Sequence, residues 1–448
     1  MKLSSFNLYF PIDSSQYLLY NTFTGAILRI DPPMEKALQS GAIELLSLDE
    51  REVLRSCGVI VEADSDERKK FEYRYNGLKY GSLNSTFVVI PTYSCNLSCS
   101  YCYQRVADVS RKSMDEEAFV RVSRFIRDQS LKNNSRNLII KLFGGEPLLM
   151  GDACVSLLDG LAKWSEDCGI EFVGTLTTNG TLLSGKLSAD ILPYLSAVHI
   201  TMDGSRSLHD EKRHYQDGRG TYDDVLRAID FVKKSGKYLT IRINLYKDKL
   251  SSLHELLDDL SHLGICGYEN LILDFGLIDP CCGVLDSSES YLKSKAEYLE
   301  LLPEVTRILA EAEWEKKAHL TINSELGDGQ RPICEHLKTT TYVIDPSCNL
   351  YLCPSATINE DYKLGEIGDN GAKWAGRYYD LHARNPLKFK NCCSCAYLPL
   401  CGGGCPVQAH IDNGDFNVPF CGATKEVTRY ILKQKYGLKY TETIGDVV

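Results

Sequence analysis

Three cysteines stand close together in the first quarter of the chain, directly after an apolar run. Cys95, Cys99 and Cys102 are separated by three and then by two residues. This spacing lets one loop offer three thiolates to a four-iron cluster and leaves one iron without a protein ligand, open to an exchangeable group. A zinc knuckle is an alternative, although it usually requires a fourth local Cys or His, and three structural thiols are another. The spacing favours the iron–sulfur interpretation.

A second group of cysteines lies in the last quarter of the chain. Its centre has the spacing C-x2-C-x5-C-x3-C, and single cysteines flank it on both sides. The chain has 18 cysteines in 448 residues, and in a long chain without a secretion signal such grouped cysteines indicate metal binding rather than disulfides. Iron and zinc are both candidates, and a zinc ribbon remains the alternative for 392–405. The residues are Cys334, Cys353, Cys392, Cys395, Cys401, Cys405 and Cys421.

The elements that must position the first group alternate between apolar runs and helix-length amphipathic segments. This pattern begins at Ser85 and predicts a parallel sheet of about six βα units, which form an α/β fold of the partial (β/α)6 TIM-barrel type. In such folds the loops at the carboxyl ends of the strands carry the chemistry, and the first cysteines follow the first strand. The helical segments are predicted at 115–130, 151–167, 185–194, 221–234 and 251–264.

The two ends of the chain have different patterns. Residues 4–11 and 17–30 alternate as a hairpin does, and helices capped by Asp31 and Ser47 are expected to follow. Residues 288–320 have helical patterns, regular periodicity is lost after Pro332, and 423–438 is predicted to form a closing helix. We therefore divide the chain into an N-terminal module, the barrel, a helical bridge, a Cys-rich domain and a tail, at 1–80, 84–285, 286–333, 334–430 and 431–448.

Composition excludes some partners. The net charge is −10 and the basic residues are scattered, so neither nucleic acid nor an anionic membrane is an expected partner. Charged residues at 25% and hydrophobic residues at 44% are typical of a soluble globular protein. The N-terminus lacks the features of a secretory signal and no apolar run reaches membrane-spanning length, so we expect a cytoplasmic protein.

The segment 85–280 resembles the radical S-adenosylmethionine (SAM) superfamily. Besides the three cysteines it has Gly-Gly-Glu-Pro after the second strand, Thr-Asn-Gly after the third and Thr-Met-Asp-Gly after the fourth. The resemblance implies that the glycine pair offers its backbone to the amino group of SAM, that Thr201 contacts SAM, and that Arg213 pairs with its carboxylate. The alternative for Arg213 is a surface helix charge. The implied SAM-binding residues are Tyr101, near the adenine, and Gly144, Gly145, Glu146, Thr178, Asn179, Thr201 and Arg213.

The second cysteine group resembles the SPASM extension of radical SAM enzymes, which holds two auxiliary four-iron clusters. The resemblance implies three [4Fe-4S] clusters in total. The proximal auxiliary set is one ligand short, and Cys348, which stands where the family has Gly, is the candidate to complete it. Cys281, Cys282 and Cys393 are weaker candidates. The implied distal ligands are Cys392, Cys395, Cys401 and Cys421, and the proximal ligands are Cys334, Cys353 and Cys405.

The N-terminal module resembles the winged-helix-like element that binds leader peptides of ribosomally made natural products, although a lid or an oligomerisation module is the alternative. The implied enzyme uses a 5'-deoxyadenosyl radical to cross-link a precursor peptide, as sactipeptide and ranthipeptide synthases do, most simply through a cysteine thioether. A flavodoxin or ferredoxin type of protein would supply electrons. An open iron in the proximal auxiliary cluster would let a substrate thiolate bind beside the carbon radical.

The sequence leaves other functions open. Carbon–carbon or carbon–oxygen cross-links are close competitors, and a noncatalytic iron–sulfur electron carrier is the non-enzyme alternative. An anaerobic sulfatase maturase that forms formylglycine is disfavoured, because Pro354 stands where that group has an aspartate base. Asp274 and Asp279 are alternative bases, or simply capping carboxylates.

Overall fold

The computed structural model describes residues 1–81, 83–106, 112–276, 278, 295–320, 332–357 and 359–438. The chain forms two compact units, each assembled from segments that are distant in sequence. The first unit comprises Met1–Gly81, Ile322–Cys334 and Arg384–Val448, and the second comprises Ser82–Thr321 and Glu335–Ala383. This division does not test the five segment boundaries predicted from the sequence, which remain predictions.

The N-terminal part of the first unit is a small sheet followed by helices. Strands β2, β3 and β4 form an antiparallel sheet with β3 in the middle, and β1 pairs with β5. The Asp31 side chain caps α1 by accepting a hydrogen bond from Met34 N, and Ser47 and Glu50 form a capping box at α2, as the sequence predicts. The elements are β1 Lys2–Leu3, β2 Asn7–Pro11, β3 Tyr17–Asn21, β4 Ile27–Ile30, α1 Pro32–Gln39, α2 Leu48–Ser56, β5 Ile60–Val61 and α3 Glu67–Tyr80.

The second unit is built on one sheet. Within the described residues it has eleven strands in the order β12-β11-β10-β9-β8-β7-β6-β13-β14-β15-β16, parallel from β12 to β13 and antiparallel beyond β13. The strands are β6 Asn84–Val89, β7 Asn137–Leu142, β8 Glu171–Thr178, β9 Leu195–Thr201, β10 Tyr238–Asn244, β11 Leu271–Gly276, β12 Ala318–Leu320, β13 Thr341–Ile344, β14 Asn349–Tyr351, β15 Lys363–Gly368 and β16 Gly371–Trp374.

The helices of the second unit separate these strands. Helices α5, α6, α9 and α10 fall where the amphipathic segments predict them, so the predicted alternation of strands and helices is confirmed. The result is an α/β fold with a mostly parallel sheet, consistent with a partial TIM barrel. The helices are α4 Tyr103–Val106, α5 Glu116–Lys132, α6 Gly151–Asp167, α7 Gly185–Ile191, α8 Arg206–Lys212, α9 Tyr222–Lys234, α10 Ser252–His262, α11 Lys295–Glu311 and α12 Gly376–Ala383.

Two sequence expectations about this sheet are wrong. Helix α11 ends at Glu311, and β12, predicted as helix, pairs in parallel with β11. Strands β13 to β16 lie in the segment where regular structure was expected to be lost, and β13 pairs in parallel with β6. These strands have three to six residues, which is too short for an apolar alternation to stand out, and they form because the edges of the sheet offer unpaired backbone groups.

The C-terminal part of the first unit contributes α13 Leu398–Cys401, α14 Pro406–Asn413 and α15 Thr424–Tyr436. Helix α15 confirms the predicted closing helix. Leu432 and Leu438 pack with Leu18 and Tyr20 of β3 in one apolar cluster. This cluster explains why the first and last segments of the chain belong to the same unit. None of the helices that the structure describes is long and apolar enough to cross a bilayer.

Candidate functional site

The loops at the carboxyl ends of the parallel strands enclose a cavity of about 390 Å³ in the second unit. The three cysteines of the first group line it, and so does every residue predicted to bind SAM except Glu146. The sequence prediction therefore brought together residues from four different loops. Residues that it did not select also line the cavity, including Arg242 and Asn244 on β10.

The glycine pair after β7 lies against the start of the cysteine loop. Gly145 N donates to the Thr92 carbonyl at 3.0 Å, and Glu146 N donates to the Ser94 carbonyl at 2.9 Å. A Cβ atom at Gly145 would stand 2.3 Å from the Ser94 carbonyl oxygen, and Gly144 has a φ of +141°. Only glycine permits this approach and this backbone, so the pair fixes the loop that carries Cys95.

Glu146 does not line the cavity, but its carboxylate connects two of the loops that do. Its carboxylate accepts hydrogen bonds from Leu148 N at 3.0 Å, Thr178 Oγ1 at 2.8 Å and Asn179 N at 2.8 Å. Complete burial raises the pKa of Glu146, and the donors from Asn179, Leu148 and Thr178 oppose that rise. Glu146 thus positions residues 178 and 179, which line the cavity themselves.

Asn179 connects the third strand to the cysteine loop. Its Nδ2 atom donates to Asn96 Oδ1 at 2.9 Å and lies 3.6 Å from the Cys95 sulfur. Burial raises the pKa of the Cys95 thiol to about 12 and also raises that of Cys99. Ligation of iron would therefore release protons from these thiols, as cluster assembly on cysteine requires.

Arg213 is buried at the cavity wall, with 7% of its surface exposed. Its Nη1 atom donates to the Tyr101 hydroxyl at 2.6 Å, whereas its Nε atom has no hydrogen-bond partner among the residues that the structure describes. A buried guanidinium with an unsatisfied donor beside a cavity fits an anionic group such as the carboxylate of SAM. The alternative interpretation of Arg213 as a surface helix charge is wrong.

Asp203 organises the polar groups around Arg213. It is fully buried and accepts hydrogen bonds from Tyr101 at 2.5 Å, from Asn244 Nδ2 at 2.9 Å and from Tyr246 at 3.3 Å. Tyr101 is therefore the link between Asp203 and Arg213, and burial raises its pKa well above the usual value. The sequence placed Asp203 in a motif without giving it this role.

Two further charged residues lie next to each other on the sheet. Arg242 and Asp274 are register partners on β10 and β11, and Arg242 Nη1 donates to the Asp274 carboxylate at 2.6 Å. A Cβ at Gly276 would stand 2.0 Å from the Arg242 guanidinium, so glycine there makes room for this pair. Asp274, one of the two suggested bases, therefore forms an ion pair with Arg242. The other suggested base, Asp279, lies outside the described residues.

The four cysteines of the predicted distal auxiliary set, Cys392, Cys395, Cys401 and Cys421, lie in the first unit. Burial, together with the negative charge of the other three thiols, raises the pKa of Cys392 to about 12, so the four are close enough to interact electrostatically. Within the described ranges no three His, Cys, Asp or Glu residues are spaced to hold a single metal ion. A four-iron cluster binds each thiolate through a different iron, so its ligands need not meet at one point.

The remaining cysteines are distributed between the units. Cys334 and Cys405 belong to the first unit and Cys353 to the second. Cys393 is exposed, and Cys281 and Cys282 lie outside the described residues. Cys348 is buried in the turn between β13 and β14 with a φ of +62°, so this turn keeps the left-handed backbone that glycine favours.

Comparisons with known proteins agree with this geometry. Residues 89–260 match the model of the radical SAM superfamily. The serine-type anaerobic sulfatase-maturating enzyme of Klebsiella aerogenes is 25% identical over 349 residues, covering 73% of this chain and 80% of the relative. The radical SAM cyclopropyl synthase TigE of Paramaledivibacter caminithermalis is 21% identical over 363 residues, covering 75% and 71%.

A solved structure shares the fold. Native anSMEcpe with bound AdoMet and Cp18Cys peptide superposes with a TM-score of 0.61 at 17% identity, covering 79% of this chain and 97% of that one. The chain therefore contains a radical SAM domain and is an enzyme of radical chemistry. Such a domain implies SAM and one [4Fe-4S] cluster, and the residues around the cavity fit both.

Proposed function

We propose that this enzyme is a peptide maturase that forms a cross-link, most simply a cysteine thioether, in a ribosomally made precursor peptide. Bound to the cavity, SAM and the cluster would supply a 5'-deoxyadenosyl radical for abstraction of a substrate hydrogen. The observation that carries the peptide part of this proposal is that β4 is an edge strand of the N-terminal sheet within the described residues.

Strand β4 is an edge that suits an added peptide strand. In the described part of the chain it pairs only with β3, and three helices follow it. Leu28 of β4 packs on the apolar cluster beneath the sheet, whereas Arg29 is exposed. A leader peptide adding to this edge would gain main-chain hydrogen bonds for affinity and side-chain pockets for selectivity.

The residues around the cavity would bind SAM and orient the peptide. Arg213 would bind the carboxylate of SAM, while Asp203 and Tyr101 hold its guanidinium in place. Gly144 and Gly145 would admit the amino group of SAM to their backbone carbonyls. The Arg242–Asp274 pair lies on the strands next to these groups and would orient the peptide backbone through charge-assisted hydrogen bonds.

The C-terminal cysteines support two auxiliary clusters in this proposal. Cys392, Cys395, Cys401 and Cys421 would hold one, and Cys334, Cys353 and Cys405 would hold the other. An open iron in the second cluster would bind a substrate thiolate and keep it deprotonated beside the carbon radical, and the cluster would accept the electron released when the carbon–sulfur bond forms. A flavodoxin or ferredoxin would supply the electron that starts each turnover.

Maturation of a sulfatase is the competing function, because the relative from Klebsiella aerogenes carries that name. Pro354 argues against it, since this side chain cannot accept a proton. The similarity to TigE, named as a cyclopropyl synthase, keeps carbon–carbon bond formation open as a second product type. Both competitors predict a product that differs in mass or reactivity from a thioether.

The test is coexpression with a precursor peptide encoded beside the gene, followed by mass spectrometry. A thioether predicts a loss of two hydrogens per link and a cysteine that no longer reacts with iodoacetamide. The same mass loss with a reactive cysteine would support a link that does not use sulfur. An unchanged peptide, together with SAM cleavage in the purified enzyme, would overturn the maturase proposal.

The edge of β4 is tested by its outward N–H groups. Asn21 N bonds to the Ala26 carbonyl, and alternation along the antiparallel pair then places Arg29 in a non-hydrogen-bonded pair whose N–H faces outward. Arg29→Pro would remove this donor without breaking a bond to β3. We expect leader affinity to fall about tenfold, while Arg29→Ala, which keeps the N–H, stays near the parent value. Equal affinities would contradict the strand-addition model.

A further inference from the structure

Arg384 is a buried cation in the cysteine-rich part of the first unit. It is 2% exposed, and no ion pair of Arg384 with a carboxylate occurs among the described residues. Lys79 of α3, 1% exposed, donates from Nζ to the Arg384 carbonyl oxygen at 2.9 Å. The guanidinium of Arg384 is therefore a positive charge away from solvent, which requires a compensating negative charge nearby.

Three donor contacts of Arg384 hold the loops that carry cysteines. Its Nε atom donates to the Phe416 carbonyl at 2.8 Å, and its Nη2 atom donates to the carbonyls of Gly403 at 2.8 Å and Val418 at 2.9 Å. Gly403 lies between Cys401 and Cys405, and Val418 lies three residues before Cys421. Arg384 therefore connects the two loops on which these thiols are carried.

The remaining donor of Arg384 is unsatisfied. Its Nη1 atom and the hydroxyl of Tyr75 are both buried, and neither has a hydrogen-bond partner in the described parts of the chain. The two groups interact electrostatically with each other, Arg384 interacts with the thiols of Cys392 and Cys405, and Tyr75 interacts with that of Cys334. A contact of Arg384 Nη1 with the Tyr75 oxygen would still leave the Tyr75 O–H without an acceptor, and buried donors without acceptors are rare, so this pair beside three thiols indicates a missing acceptor.

We propose that Arg384 and Tyr75 are positioning residues that hold and tune the anionic auxiliary iron–sulfur clusters to which Cys392, Cys405 and Cys334 are assigned. The inference rests on the proposed auxiliary clusters. A cluster with thiolate ligands carries net negative charge, so Arg384 Nη1 and the Tyr75 hydroxyl would donate to its sulfurs. Hydrogen bonds and positive charge near the sulfurs stabilise the reduced state and raise the reduction potential.

The test uses the full chain with Cys95→Ala, Cys99→Ala and Cys102→Ala, so that all bound iron belongs to the auxiliary sites. In this background we compare Tyr75→Phe, Arg384→Lys and Lys79→Met after anaerobic reconstitution. Iron and sulfide analysis gives occupancy, and a redox titration followed by electron paramagnetic resonance gives the reduction potential. Tyr73→Phe, on the same helix and 84% exposed, is the matched control.

Tyr75→Phe removes one hydroxyl, so we expect full iron occupancy with a more negative reduction potential, and Lys79→Met shifts the potential in the same direction. Arg384→Lys keeps the charge but loses the carbonyl ties, so iron content falls. Potentials equal to that of the Tyr73→Phe control in both Tyr75→Phe and Lys79→Met would overturn this inference alone. Absence of iron from the parent triple variant would overturn the auxiliary clusters and, with them, this inference.

Discussion

The two cysteine-bearing regions of this enzyme are organised in different ways. Around the cavity of the second unit, each regular strand leads into one short loop, and the loops are joined by side-chain hydrogen bonds such as those of Glu146 and Asp203. In the first unit, cysteine loops of little regular structure are joined through Arg384, whose guanidinium binds backbone carbonyls. The first arrangement positions side chains on a rigid sheet, and the second depends on one buried cation.

This difference has a consequence for function. Loops at the ends of parallel strands can change their chemistry without loss of the fold, because the sheet carries the stability. The cysteine loops of the first unit have no such support, and Gly404, whose Cβ would fall 1.7 Å from the Phe420 carbonyl oxygen, leaves no room for variation. We therefore expect mutations at the cavity to affect activity and mutations at Arg384 to affect assembly.

Loss of a cavity cysteine gives the largest expected effect. Cys99→Ala removes one of the three proposed cluster ligands, so 5'-deoxyadenosine formation should fall below detection, while iron in the proposed auxiliary clusters should stay bound. The measurements are product chromatography after dithionite reduction and iron analysis of the same sample. Cys168→Ala, at an exposed cysteine of the second unit, is the control and should behave as the parent protein. Residual turnover in Cys99→Ala would contradict the three-thiolate cluster.

Arg213 gives the next largest effect. Arg213→Met removes the unsatisfied buried donor, and charge-assisted hydrogen bonds contribute about 1.5–3 kcal/mol, so SAM affinity should fall by about 10- to 100-fold. Equilibrium binding of SAM to the reconstituted enzyme measures it. The control is Arg219→Met, which removes an exposed ion pair with Asp217. Similar affinities in the two variants would show that Arg213 does not contact SAM.

Tyr101→Phe tests the link between Asp203 and Arg213. It removes one hydroxyl that donates to Asp203 and accepts from Arg213, so Arg213 loses orientation but not charge. We expect SAM affinity to fall about three- to tenfold, less than in Arg213→Met. In a double-mutant cycle the two changes should be non-additive, because they act on one network. Additive losses would mean that Tyr101 contacts SAM independently, as the sequence resemblance implied for the adenine.

The sequence predicted the cavity better than it predicted the first unit. Motifs directly after strands could be assigned because strand ends in a parallel sheet converge, so Thr178 and Thr201 were placed without coordinates. Arg242 and Asn244 were missed, although their spacing of two on β10 puts them on one face of the sheet. The role of Arg384 could not be predicted from the sequence, because its hydrogen-bond partners are backbone carbonyls, which every residue type has.

Substitution of Cys348 has the smallest expected effect on stability. It tests whether this thiol supports the turn or binds a cluster. Its turn holds the left-handed backbone through Asp345, whose carboxylate accepts from Ser347 N and Asn349 N at 2.8 Å. Electrostatic contacts of its thiol include Arg121 and Asp115. Cys348→Gly relieves about 1 kcal/mol of backbone strain and loses a buried side chain of similar worth, so stability should change by less than about 1 kcal/mol.

The iron content of the Cys348→Gly variant shows whether Cys348 is a cluster ligand. If its thiol serves the turn and its contact with Arg121, Cys348→Gly keeps the iron of the parent protein, whereas Cys353→Ala loses part of it. Equal losses of iron in the two variants would make Cys348 a cluster ligand and close the site at which we expect a substrate thiolate to bind. Metal ligation would then explain why a cysteine occupies this position, whose backbone conformation favours glycine. If Cys348→Gly retains the iron, the proximal auxiliary cluster keeps an open iron, which is the site that the proposed thioether chemistry requires.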